Sequence, residues 1–157
     1  MSWIRKKKKY NKPRKLYDKV RIEEENKLVE KYGLKNKREV WKAESAIDRI
    51  RNRAKKLITA TLEEQEKLLE KLRKMGFKVE KIADVLALNK EDWLKRRLQT
   101  ILTEKKLAKT PKEARQLIVH KHVLINDEVI NVPSYIVKVD EEDKIKVNLK
   151  TKIKNGK

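Results

Sequence analysis

Three arginines, Arg96, Arg97 and Arg115, are the residues of this sequence best suited to bind phosphate. A guanidinium group presents paired N–H donors that match two oxygens of one phosphate, so arginine fits this contact better than lysine does. We therefore predict that these arginines bind the phosphate backbone of a nucleic acid. Thr100 also falls off the apolar side of the helix predicted there and joins the candidate set. Substituting Arg96 or Arg97 by alanine should then weaken binding and leave thermal stability nearly unchanged.

Two histidines flank a lysine where a predicted helix meets a predicted strand, at His120, Lys121 and His122. Either imidazole could bond a phosphate or a ribose 2′-hydroxyl, and packing or capping of the helix end is an equally good interpretation for each. The chain has no cysteine and no further histidine to complete a metal shell around them. Neither has an evident nucleophile as partner, which argues against a catalytic base. Lys121 is predicted to add a phosphate contact.

Further positive charge is concentrated in two other stretches. One is the second half of a long predicted helix, whose cations are Arg49, Arg51, Arg53, Lys55 and Lys56. Cations near a helix C-terminus offset the helix dipole, but so many in so short a span exceed that need, which favours RNA contact over a solvated face. The other is residues 1–21, with ten basic residues and one acidic residue. The candidate phosphate ligands there are Lys6, Lys7, Lys8, Lys9 and Arg14.

The chain divides by its apolar pattern. Residues 1–21 show no apolar periodicity, which predicts an extended arm that neutralises phosphates between RNA helices, with a solubilising tail as the alternative. Residues 22–92 show helical spacing, which predicts a helical domain. Residues 93–149 combine two short helices with a small, mainly antiparallel sheet, and residues 150–157 form a basic tail. The predicted fold class is α+β, a mostly helical N-terminal region followed by this small domain.

Capping signals and turn residues mark the elements that must position the arginines. Thr61 with Glu64, and Thr110 with Glu113, predict capping boxes, and a single helix is predicted from Asn89 past the two adjacent arginines. Strands are predicted at residues 123–125, 129–130, 135–139 and 145–149, with a hairpin turn at Asn126-Asp127.

Three blocks carry a family resemblance: RRLQT at residues 96–100, EARQLIVH at 113–120 and VPSY at 132–135. They resemble the S4 RNA-binding domain family, and more narrowly its founders, the small-subunit ribosomal proteins of archaeal and eukaryotic type. The likeness continues outside that region and spans nearly the whole chain. Two departures are Lys121, where the family often has glycine, and Asn126-Asp127, where it often has Asn-Gly.

The resemblance implies a structural constituent of the small ribosomal subunit that binds 16S-type rRNA at a junction in the 5′ domain and helps nucleate assembly. It also implies neighbouring small-subunit ribosomal proteins as partners, and mRNA near the channel by which mRNA enters the ribosome. A free-standing S4-domain factor in ribosome quality control is the alternative, although it would not explain the likeness outside residues 93–139. An RNA-modifying enzyme would need a catalytic domain that the remaining residues are too few and too polar to build.

Composition favours the same function class. Lysine and arginine total 44 against 24 acidic residues, for a formal net charge of +20, which indicates a polyanionic partner. The helices predicted in residues 95–115 carry a net charge of +6 and the strand region 116–143 carries −4, so RNA should lie across the helices. With no cysteine and only three glycines, the chain offers neither a thiolate metal site nor a Gly-rich phosphate loop. We therefore expect no enzyme activity, no cofactor, no membrane association, and a cytoplasmic location on the ribosome.

Overall fold

The computed structural model describes residues 8–148, so Lys6, Lys7 and the predicted tail at 150–157 lie outside the described residues. Within that range the chain forms eight helices and three strands. The helices are α1 (Lys19–Lys31), α2 (Lys37–Leu57), α3 (Leu62–Lys74), α4 (Ile82–Ala87), α5 (Lys90–Lys95), α6 (Leu98–Glu104), α7 (Pro111–Val119) and α8 (Val139–Glu142). The strands are β1 (Val123–Ile125), β2 (Glu128–Val129) and β3 (Ile145–Val147).

Helix α2 is the scaffold of the N-terminal half. Its apolar residues recur at steps of three and four, so they form one stripe that can be buried along the whole helix. Val40 and Ala43 join the core shared with α1 and α5, whereas Ile47 and Ala54 join the core shared with α3 and α4. All four side chains are at most 2% exposed. Much of the opposite face of α2 is exposed, although Ser45 on that face is buried.

The C-terminal half packs α6 and α7 against a three-stranded antiparallel sheet with strand order β2-β1-β3. Leu98, Ile118 and Val123 are fully buried between the helices and the sheet. The hairpin turns at Asn126 and Asp127, whose φ angles of 52° and 65° give the left-handed backbone that the turn signal predicted. The α+β fold class is therefore confirmed.

The single helix predicted from Asn89 is wrong, because the backbone leaves the helix at Arg96 and Arg97. Arg97 is extended, with φ −74° and ψ 142°, and it forms an isolated bridge with Ile136. The carbonyl of Arg96 accepts a hydrogen bond from the Val137 amide at 3.1 Å. This pairing divides the predicted helix into α5 and α6. It also replaces the strand predicted at 135–139, whose last residue begins α8 instead.

The capping predictions had mixed outcomes. The hydroxyl of Thr110 accepts a hydrogen bond from the Glu113 amide at 3.2 Å, as predicted for the start of α7. The Glu113 carboxylate, however, accepts from the Lys109 amide at 2.7 Å and not from the cap residue itself. The capping box predicted at Thr61 is wrong, since its side chain makes no capping hydrogen bond.

Candidate nucleic-acid interface

Arg97 and Arg115 meet at one carboxylate, that of Glu39 on α2. Arg97 donates through Nη2 to Glu39 Oε2, and Arg115 donates through Nη2 to Glu39 Oε1 at 3.0 Å. The Arg97 side chain is 4% exposed, that of Glu39 13% and that of Arg115 26%. A phosphate could therefore reach Arg115 at its open side, but Arg97 only if the ion pair with Glu39 opened.

The protonation of Glu39 depends on these two partners. Burial of the carboxylate by itself would raise its pKa. Hydrogen bonds from Arg115 and Arg97 favour the anion more strongly, and the pKa of Glu39 lies below its ordinary value. The group therefore stays ionised at neutral pH, and the two guanidinium groups share one compensating negative charge. The cluster keeps a net positive charge.

Gln99 holds the end of α1 against the start of α7. Its amide nitrogen lies 3.1, 2.9 and 2.8 Å from the carbonyl oxygens of Tyr32, Gly33 and Pro111, and the residue is 1% exposed. Gly33 has φ +58°, and a Cβ there would lie 2.8 Å from the Cβ of Pro111. Glycine is required at this position because a side chain would separate the two helix ends.

Arg96 points away from Glu39 and joins three other elements. Its Nε donates to the Met75 carbonyl at 3.0 Å, and its Nη2 donates to the Val137 carbonyl at 2.9 Å and to Glu142 Oε2 at 3.1 Å. The guanidinium lies over Gly76, where a Cβ would come within 2.3 Å of Cζ. These donors are used inside the protein, which makes Arg96 a structural joint between the end of α3 and α8.

A cleft of about 320 Å³ opens beside the Glu39 cluster. It has five cationic side chains and one carboxylate in its lining: Lys35, Arg38, Lys42, Arg97, Arg115 and Glu39. Lys35, Arg38 and Lys42 are exposed, and none of them was among the residues predicted from the sequence. This cleft lies between the N-terminal helices and the C-terminal half, with Pro133 and Ser134 on its far wall. Its charge suits a phosphate group.

The cleft continues into a cationic stripe along α2. The stripe consists of exposed residues at steps of three, four and seven: Arg38, Lys42, Arg49, Arg53 and Lys56. At about 100° per residue they fall within an arc of about 60°, and at about 1.5 Å per residue they span about 27 Å. Arg51 is not part of it, because its guanidinium turns inward and donates to the carbonyl of Leu88. Lys55 is exposed but projects about 100° around the helix from Lys56, outside the stripe.

The N-terminal segment contacts α2 beside this stripe. The amide of Asn11 donates to the Ser45 hydroxyl at 3.0 Å, and the ring of Tyr10 lies 6.1 Å from that of Trp41. Ser45 falls on the same helix face as the stripe, between Lys42 and Arg49. Three lysines of the segment that adjoin these contacts in the sequence are exposed: Lys8, Lys9 and Lys12. Arg14 is also exposed.

The corner after α7, at residues 120–122, contains one exposed lysine, Lys121. This residue has φ +62°, the left-handed backbone that glycine adopts without strain. The His120 and His122 rings lie 6.4 Å apart, and His122 Nδ1 is 3.1 Å from the Asn148 carbonyl. Thr100 donates its hydroxyl to the Leu94 carbonyl at 2.8 Å, inside the protein. Phosphate binding by this corner stays a prediction.

Residues 8–148 contain neither a clustered metal-ligand set nor a helix that could span a membrane. No group of three or more His, Cys, Asp or Glu side chains there is arranged to hold a metal ion. None of the helices in that range combines the length and the apolar composition needed to cross a bilayer.

Comparison with known families agrees with this geometry. The S4 domain family matches residues 96–143, from the break before α6 through α8. The fold and the site thus define an S4-domain protein. Small ribosomal subunit protein uS4 of Methanothermobacter thermautotrophicus is 49% identical over 144 residues, covering 88% of this chain and 84% of that protein. The protein of the same name from Nanoarchaeum equitans is 46% identical over 149 residues, covering 90% and 83%, and that from Korarchaeum cryptofilum is 44% identical over 151 residues, covering 92% and 91%. The chain belongs to the uS4 family, which confirms the resemblance.

Proposed function

We propose that this chain is a structural component of the small ribosomal subunit and acts by binding rRNA, without catalysis. The observation that carries the proposal is the cationic stripe of α2, which runs into the cleft between the N-terminal helices and the S4 domain. Family membership supports it, because the relatives named above are small ribosomal subunit proteins and match nearly the whole chain. Its location would then be the ribosome in the cytoplasm.

The mechanism we propose is recognition of RNA shape by fixed charge. The stripe spans about 27 Å, enough to follow several successive phosphates of one RNA strand. Arg115, on the open side of the Glu39 cluster, and Lys35, at the cleft mouth, would hold the strand where it reaches the S4 domain. Arg97 and Arg96 would act as positioning residues, because Arg97 ties the start of α6 to α2, and Arg96 ties the adjacent backbone to the end of α3 and to α8.

Finer features of the proposal follow from the family resemblance. The RNA would be a junction in the 5′ domain of 16S-type rRNA, and binding would help to nucleate subunit assembly. Neighbouring small-subunit proteins, and mRNA near the channel through which it enters, would be further partners. The exposed carboxylates of Asp140, Asp143 and Glu128 would turn away from RNA because like charges repel.

A charge-matched comparison tests the role of the stripe. The triple variant Arg49→Ala, Arg53→Ala, Lys56→Ala removes three stripe cations. A control variant, Lys67→Ala, Lys71→Ala, Lys74→Ala, removes three exposed cations with the same spacing from α3. If each stripe residue neutralises one phosphate, the salt slope of rRNA binding falls by roughly 2–3 units and affinity at 0.1 M salt falls on the order of 100-fold. Equal losses in both triple variants would contradict the proposal.

Sedimentation tests the cellular part of the proposal. The chain should remain with small subunits in equimolar amount after a high-salt wash. A free-standing S4-domain factor would instead be released by the wash and recovered in substoichiometric amount, which is the outcome that favours the alternative.

A further inference from the structure

Tyr17 is an aromatic side chain that the fold leaves almost entirely in solvent, with 93% of its surface exposed. Other aromatic rings of the chain are packed: Tyr10 against Trp41 at 6.1 Å, and Phe77 against Trp93 at 6.0 Å. Tyr17 lies two residues before α1, at the end of the cationic N-terminal segment. Exposing a ring of this size forgoes the burial that usually stabilises tyrosine, which suggests that a ligand covers it.

The backbone that presents Tyr17 is held by Arg21. The Nη2 of Arg21 donates to the carbonyls of Lys15 and Leu16, at 2.8 and 3.1 Å. Its Nη1 donates at 2.8 Å to Glu25, a 3% exposed residue that also accepts from Trp41 Nε1 at 2.9 Å. This chain of hydrogen bonds fixes the turn to the body of α1 and α2. The outward position of the ring is therefore built into the fold and costs little further ordering on binding.

The surroundings of Tyr17 are cationic with a small apolar border. Exposed cations flank it on both sides in the sequence: Lys12, Arg14, Lys15 and Lys19. One adjacent carboxylate, Asp18, accepts a hydrogen bond from the Arg21 amide and caps α1, and two more, Glu23 and Glu24, are exposed one turn along that helix. Leu16 and Val20 are 62% and 68% exposed. An aromatic ring among phosphate-binding cations is the combination with which proteins hold unpaired nucleotides.

We propose that Tyr17 stacks on an unpaired base of the RNA, with Leu16 and Val20 bordering the nucleotide and Lys15 and Lys19 contacting its phosphates. The inference rests on the proposed rRNA binding and adds a site and a ligand class to it, a single-stranded nucleotide at or beside a helix junction. The surroundings match a protein partner less well, because lysine is depleted in protein–protein interfaces and three exposed lysines flank this ring. Stacking tolerates any base, so no sequence preference is expected.

The experiment uses the full chain and two labelled RNA hairpins of equal length, one with a three-nucleotide bulge and one fully paired. Tyr17→Ala should weaken binding to the bulged hairpin by roughly 5- to 150-fold, the range for loss of one base–aromatic stack, and leave the salt slope unchanged. Tyr17→Phe keeps the ring and should bind as the parent does. Leu62→Ala, at a residue 76% exposed on α3, is the control for loss of exposed apolar surface. Lys19→Ala should weaken both hairpins and reduce the salt slope.

Three outcomes would overturn the inference. Equal affinity of Tyr17→Ala and the parent for the bulged hairpin would exclude stacking while leaving rRNA binding intact. If that variant bound RNA normally but dissociated from small subunits, Tyr17 would be a protein contact. If the parent chain bound neither hairpin nor rRNA, the proposed function and this inference would fail together. Thermal unfolding serves as the folding check, since loss of a side chain this exposed should leave Tm unchanged.

Discussion

Glu39→Gln should destabilise the protein although it changes only one oxygen to nitrogen. The carboxylate accepts three hydrogen bonds from Arg97 and Arg115, and Arg97 cannot turn to solvent. Bonds to a charged acceptor contribute about 1.5–3 kcal/mol each and neutral ones about 0.5–1.5, and the variant also leaves a buried guanidinium without a counter-charge. Allowing for the part-exposed Arg115, we expect the free energy of unfolding to fall by about 2–3 kcal/mol. In a chain of this size that lowers Tm by roughly 4–12 °C.

The assay is urea and thermal unfolding at pH 7, with Glu44→Gln as control. Glu44 is an exposed carboxylate on the same helix, and its substitution should change stability by less than about 0.5 kcal/mol. The pKa of Glu39 is lowered in the folded state, so its contribution is complete above the unfolded pKa and is lost as pH falls through the folded value. The difference in free energy of unfolding between the parent and Glu39→Gln should therefore shrink below about pH 4. Equal stability of the two glutamine variants at pH 7 would refute the reasoning.

Three further predictions concern backbone and capping. Gly76→Ala should lower the free energy of unfolding by about 2 kcal/mol or more, because φ is +81° and the new Cβ would displace Arg96. Thermal unfolding measures this loss, and an unchanged Tm would contradict the prediction. Lys121→Gly should raise stability by about 0.5–1 kcal/mol, while the salt slope of RNA binding falls by slightly under one if Lys121 contacts a phosphate. Thr110→Ala should lower the free energy of unfolding in urea by about 1 kcal/mol, because the Glu113 amide loses its hydrogen bond to the Thr110 hydroxyl. Thr110→Ser keeps a hydroxyl and should recover most of that stability.

Local patterns predicted most of the helices and the hairpin. Apolar spacing predicted α2 because Val40, Ala43, Ile47 and Ala54 lie on one side at the helical period, and burial of that side does not depend on distant residues. The hairpin turn followed from Asn126-Asp127 for the same reason, since those residue types tolerate left-handed backbone locally.

The partners of the arginines in the fold could not be predicted from local sequence patterns. The sequence predicted Arg96 and Arg97 to be phosphate ligands from their chemistry, but their partners in the fold are remote: Glu39 is 58 residues from Arg97, and Glu142 is 46 from Arg96. The break between α5 and α6 was missed because it depends on pairing with residues 135–137, a tertiary contact that overrides local helix preference. The alanine prediction for these two residues is accordingly revised toward loss of stability.

The cleft cations were missed although a signal existed. Lys35, Arg38 and Lys42 precede the charge cluster at residues 49–56, and only the helical projection places Arg38 and Lys42 on the same face as Arg49. The net charge of a whole segment does not show that alignment. A projection of the exposed face, made alongside that of the buried face, would have found it.

Because Glu39 pairs with Arg97, just before α6, and with Arg115 of α7 from the other half of the chain, the S4 domain of this protein is not electrostatically self-sufficient. Excised on its own, it would present a bare guanidinium at Arg97 and lose the carbonyls that Gln99 contacts at the end of α1. Transplanting the segment into another protein would therefore require carrying its acidic counterpart along, or replacing Arg97 with an uncharged residue.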